Sequence, residues 1–144
     1  MVRLAKIGFK LDMTEPKVYY RDLPQGIKGV YDGRDNEPII VINQNLTEIE
    51  KKCTLAEELI HHEYYPDCNY YRCRNYYELT LCNAKEYRVK KKLALKLIPL
   101  KVLKKNILPY LDAYPLRVLA EEVDVTEAIL TLRLRIYMQR TGKD

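Results

Sequence analysis

The sequence predicts an α+β fold, mainly helical, with a small β-hairpin ahead of the helices. Three observations carry that expectation. Two short runs rich in β-branched and aromatic residues, 26–33 (GIKGVYDG) and 38–42 (PIIVI), flank Asp32-Gly33 and a polar stretch, the pattern of a hairpin with a slightly long loop. Thr47 and Glu50 then stand three apart at the head of a helically periodic run, which is a capping box. Beyond it, Pro66, Pro99, Pro109 and Pro115 punctuate further segments of helical period.

Taken in order, residues 1–20 read as an N-terminal helical segment, weakly amphipathic over the first dozen positions and ended or redirected at Thr14-Glu15-Pro16. The hairpin occupies 21–45. A helix should run from the Thr47 cap to about Tyr65, with Leu46 placed to act as a hydrophobic staple. Residues 66–77 are polar and rich in Tyr and Asn, which suits a loop or an irregular helix. A long helix is expected from Glu78 or Asn83 to Ile98, stopped by Pro99. Helical segments follow at 101–111 and 116–123, and a last helix starts at the cap Thr126 and reaches about Gln139. The whole chain, 1–144, reads as one domain: hairpin, two site helices within 46–100, and C-terminal helices within 101–144.

Composition narrows the function classes. The chain has 144 residues of which 47% are hydrophobic, enough to bury a core. Thirteen tyrosines against one Phe and no Trp suggest rings that are half-buried or line a groove. No stretch of ~18 apolar residues offers a membrane span. Arg3, Lys6 and Lys10 interrupt the N-terminus where a signal peptide needs an apolar run. A cytoplasmic protein is expected, and Cys53, Cys68, Cys73 and Cys82, with no C-x-x-C pair, are expected to be thiols rather than a zinc ribbon. The net charge of +5 is local: residues 85–105 hold nine basic residues against Glu86 alone, or +8, leaving −3 for the rest.

The chemistry gathers on the two central helices. Ile49, Cys53, Ala56, Leu59 and Ile60 form one apolar face. Glu57 and His61, four apart, stack along its edge, with Glu58 beside them and turned further out. Such a pair can be a surface contact worth a few tenths of a kcal/mol, or two donors to one cation. On the second helix, the stripe Val89, Leu93, Leu97 extends back to Glu86, while Lys85, Arg88 and Lys90 fall off it. An inward carboxylate needs a partner. That partner is an Arg or Lys, or a metal shared with Glu57 and His61.

The stretch Cys53-Thr-Leu-Ala-Glu-Glu-Leu-Ile-His61-His62 resembles the metal helix of the ImmA/IrrE family of metallo-endopeptidases, whose helix carries H-E-x-x-H. Glu86-Tyr87-Arg88-Val89, ending Leu97-Ile98-Pro99, resembles the family's following helix, which opens its motif with a glutamate ligand. The resemblance covers roughly residues 20–140 and implies a zincin-like, gluzincin-type domain. It implies Glu58 as the general base that activates the attacking water, His61 and Glu86 as ligands, and Zn²⁺ as the cofactor. Glu57 stands where the full motif has its first histidine, an E-E-x-x-H form similar to that of phage and mobile-element relatives. A glutamate can ligate zinc, and a site with two carboxylates also accepts Mn²⁺ or Fe²⁺. His62 is a possible substitute ligand.

The resemblance further implies a helix-turn-helix repressor protein as substrate, cleaved to relieve repression. Two other readings stay open: a catalytically inactive antirepressor that binds the repressor, and a DNA-binding regulator acting through the C-terminal helices. The segment Leu119 to Leu130 is itself similar to a helix-turn-helix. Its second helix begins Glu127-Ala128-Ile129-Leu130, acidic and apolar where a groove reader presents donors, and Arg133, Arg135 and Arg140 come late. Direct DNA binding is therefore not expected. Gly29-Val30-Tyr31, or its hairpin mate, offers an edge to which an extended peptide could add, with Tyr31 as a candidate substrate-binding residue.

Overall fold

The computed structural model describes residues 15–33, 37–66 and 75–141, with the side chains of 76–79 and 141 left aside. Among the described residues three strands precede the helices: β1 (Lys17–Arg21), β2 (Gly29–Asp32) and β3 (Ile39–Asn43). The expected hairpin is present, with β2 antiparallel to β3 and Tyr31 opposite Ile40. β3 is the central strand, in the order β1-β3-β2. Ile40 and Ile42 are fully buried on it, as a strand covered by a helix requires.

β1 corrects the expectation of a helical segment reaching residue 20. Lys17-Val-Tyr-Tyr-Arg21 is extended and pairs parallel to β3, Lys17 opposite Ile39. Val18, Tyr19 and Tyr20 are β-formers, and Pro16 disfavours helical backbone in the residue before it. The rest of the expected helical segment, 1–14, lies outside the described residues, as do the hairpin loop 34–36 and residues 67–74 with Cys68 and Cys73.

The segment between β1 and β2 is fixed by two local devices. Ile27 N–H donates to Pro24 C=O at 3.1 Å while Gly26 has φ 93°, a turn whose third position requires a residue tolerant of positive φ. The buried Asn43 side chain then donates to Ile27 C=O at 2.9 Å and accepts from Asn45 N–H at 3.1 Å. This polar clamp holds 23–28 against the end of β3.

Helix α1 (Glu48–Tyr64) starts at Thr47 with both halves of the capping box formed. Leu46 does not staple, because the fourth helical position is Lys51; it packs instead beside Tyr31, Ile40 and Ile42. α1 is central and divides its apolar residues between two sides. Leu55 and Leu59 lie against the sheet, whereas Cys53 and Ile60 join clusters made with the later helices. Burial pushes the Cys53 thiol up from its ordinary pKa.

Helix α2 (Tyr76–Leu97) begins earlier than expected and packs Val89 and Leu93 against Ile60. After Pro99, α3 (Leu100–Val102) widens into a π-helical turn, Leu103–Ile107, and narrows into a 3₁₀ turn, Leu108–Tyr110. α4 (Leu116–Glu122) and α5 (Glu127–Thr141) close the fold. α4 ends in a Schellman motif: Val125 N–H donates to Ala120 C=O and Asp124 N–H to Glu121 C=O, with Asp124 at φ 58° where glycine is usual. Arg133 is buried, and its Nε donates to the Ile98 carbonyl at 2.6 Å. A cation on a terminal carbonyl of the α2 segment complements the negative end of that helix.

Two variants test these terminal contacts by urea unfolding. Arg133→Leu strands a buried carbonyl and should cost about 2 kcal/mol. Asp124→Gly relieves left-handed backbone and should raise stability by about 0.5–1 kcal/mol.

Candidate metal centre

Helices α1 and α2 meet along two rungs, each four residues from the next. One rung is His61 with Glu86, Nε2 donating to Oε2 at 2.7 Å; the other is Glu57 with Lys90, Nζ donating to Oε2 at 3.0 Å. One donor atom from each of Glu57, His61 and Glu86 lies within 4.8 Å of the others. Donors on one tetrahedral zinc stand ~3.4 Å apart at ligand distances of ~2.1 Å. The three side chains are near enough to close on a divalent cation with a small adjustment, and two carboxylates with one imidazole suit it by chemistry.

Glu58 departs from the helical-wheel reading. It is 9% exposed rather than turned outward, because the groove beside β2 lies along the stripe Thr54, Glu58, His61. Burial drives its carboxyl up to about 7; the charge of His61 opposes this and those of Glu57 and Glu86 add to it. A carboxyl balanced near neutrality can both take and give a proton, as a general base or acid must. Burial works to lower the His61 imidazole, but the Glu86 hydrogen bond and the neighbouring carboxylates outweigh it and hold the ring above its ordinary value. Burial likewise works to raise Glu86, and the His61 hydrogen bond and charge hold it low instead. Without a metal the pair favours the protonated ring, and a metal bound at Nε2 would have to displace that proton.

The groove has a volume of about 470 Å³ and is lined by residues 26–31 on one wall and by Asn83, Glu86 and Lys90 on the other. Among the described residues β2 is an edge strand, and its hairpin mate β3, being central, is not. Asn43 N–H donates to Lys28 C=O, which makes 28 and 43 a hydrogen-bonded pair. By the antiparallel alternation, the N–H and C=O of Gly29 turn to the outer edge, as do those of Tyr31. The Tyr31 side chain is buried, with its hydroxyl against His62 Nδ1 at 2.8 Å. His62 is thereby placed on the sheet side of α1 and outside the ligand cluster.

The strand and helix touch closely. A Cβ on Gly29 would stand 2.7 Å from Thr54 Cγ2, nearer than side chains tolerate. Sequence reasoning missed Thr54 and Lys90 in this site. Lys90 was excluded by its own helical stripe, although its spacing from Glu86 was a usable signal.

A family model, described as the IrrE N-terminal-like domain of the peptidase M78 type, matches residues 10–135. The chain belongs to the peptidase M78 family. No curated protein and no solved structure matches it. Membership agrees with the α+β architecture and brings a metal-dependent, protease-like role. In the M78 chain the cluster of Glu57, His61 and Glu86 is compatible with a metal site. No described helix is long and apolar enough to cross a membrane.

His61→Ala and Glu86→Gln should each weaken Zn²⁺ binding by at least about tenfold, measured by competition with a chromogenic chelator. His62→Ala should leave that affinity within about threefold.

Proposed function

We propose that this M78 chain is a metal-dependent endopeptidase whose substrate is a helix-turn-helix repressor of a phage or mobile element. One observation carries the catalytic half: Glu58, buried and balanced near neutrality, sits one residue from a ligand-compatible cluster and on the same groove. The repressor half rests on the resemblance of the E-E-x-x-H segment.

Glu57, His61 and Glu86 are the residues to hold the ion, with Zn²⁺ expected and Mn²⁺ or Fe²⁺ compatible. When bound, it supplies Lewis acidity to the attacked carbonyl and the attacking water. The rest is the work of the chain. An extended peptide adds antiparallel or parallel to the outer edge of β2, where Gly29 presents its backbone groups. That pairing lays the scissile bond along the groove floor formed by α1. Glu58 takes the proton of the attacking water and passes it to the leaving amine. Glu58 must stay off the ion to do so.

A second reading, binding without cleavage, is favoured by Glu57 in place of the motif histidine. The two separate in one experiment with purified repressor. For the endopeptidase, Glu58→Gln should lower kcat by about 10²–10⁴-fold while zinc content is unchanged, and chelation should abolish cleavage until zinc is restored. For the binder, neither treatment alters repressor binding and no fragments appear by mass spectrometry. A DNA-binding reading finds little support, since Arg133 is engaged with Ile98 in the interior.

Substrate addition has its own check. Tyr31→Phe should keep kcat/KM within about threefold. Tyr31→Pro, which alters the backbone of β2 without removing a ladder bond to β3, should raise KM by about tenfold or more. Equal effects of the two would rule out edge pairing there.

A further inference from the structure

The groove carries a positive group that the proposed mechanism does not use. Lys90 lies one turn beyond Glu86 on α2 and reaches across to Glu57 on α1, Nζ to Oε2 at 3.0 Å. Its side chain is about half exposed while that of Glu57 is 19% exposed. Contact with Glu57 is the kind of interaction a divalent ion would also make, and Glu57 offers one of the three donor atoms of the cluster.

The charge count explains why a lysine belongs there. A zinc site of two histidines and one carboxylate carries +1 over ion and ligands. Glu57 in place of a neutral imidazole lowers that to zero. The ammonium of Lys90 restores it. Three carboxylates, Glu57, Glu58 and Glu86, line this groove, and without a metal they need a cation of their own.

Resting on the metallopeptidase reading, we propose that Lys90 is a tethered cation that competes with the divalent ion for Glu57 and thereby sets the affinity of the site. In the metal-free chain the ammonium holds the Glu57 carboxylate. Ion binding requires Glu57 to release or share it. The carboxylate has two oxygens, so sharing is sterically open, and Lys90, with half its side chain in solvent, can swing clear. Lys90 is a positioning residue in this account; it contacts a ligand and not the reacting atoms.

The test is the Zn²⁺ dissociation constant of the metal-free full-length chain, measured by chelator competition in a double-mutant cycle. Lys90→Met keeps an unbranched side chain one atom shorter and removes the charge, and it should tighten Zn²⁺ binding by roughly tenfold. Lys90→Arg keeps the charge and should stay within about threefold of wild type. In a Glu57→Gln background, where the ammonium has lost the carboxylate it hydrogen-bonds and keeps only the more distant charges of Glu58 and Glu86, Lys90→Met should tighten binding by no more than about threefold. Circular dichroism melts of each variant confirm folding.

Unchanged or weaker binding in Lys90→Met overturns the competition. So does an equal gain in the Glu57→Gln background, which would mark a diffuse charge effect without coupling to Glu57. If neither wild type nor Lys90→Met binds Zn²⁺, Mn²⁺ or Fe²⁺, the metallopeptidase reading itself falls, and this inference with it.

Discussion

The structure turns on the cost of keeping carboxylates out of water at the α1–α2 crossing. Glu57, Glu58 and Glu86 converge on one groove around a single imidazole. Carboxylates so placed repel one another and lose hydration, and each must be protonated, paired or bound to a cation. Glu58 takes the first course, with its carboxyl driven to about 7. Glu86 and Glu57 take the second, through His61 and Lys90. The same crowding that would destabilise an ordinary core makes this one receptive to a divalent ion.

The scaffold supplies that crowding through packing remote from the groove. Val89 and Leu93 fix α2 against Ile60, one residue before His61. Arg133 ties α5 to the carbonyl just past the end of α2. The sheet covers the opposite side of α1 through Leu55, Leu59 and the Tyr31–His62 contact. α1 is thus held from two directions, and its third side is left as the floor of the groove.

Signals that are local in sequence were legible. The Thr47 box, the stops at Pro66 and Pro99 and the Thr126 cap each act within a few residues, and the elements they announce are present. The grouping of Glu57, His61 and Glu86 was legible in part: spacing put each on the right stripe of its own helix, and the family resemblance joined the two helices. What was missed depends on neighbours far along the chain. β1 is a strand because it meets β3 some twenty residues later, and Pro16 alone does not announce a parallel partner. Glu58 was read as outward because a wheel drawn on α1 knows nothing of β2. Lys90 was read as solvated because its own helix has a cleaner stripe, whereas its position is decided by Glu57 on the facing helix.

The contact between Gly29 and Thr54 bears on how this groove can change over evolutionary time. With only a hydrogen at position 29, strand and helix are already as close as backbone and methyl allow. The spacing between peptide edge and groove floor is in effect a gauge set by atomic radii. A carbon added at 29 has to be met by a turned or smaller side chain at 54 or by a shift of the strand. New preferences are written more freely on the surrounding walls, at positions such as 27, 28 and 83, which line the groove away from that contact. The contact at 29 and 54 couples any change in that distance to two positions, while the lining is open to variation at one position at a time.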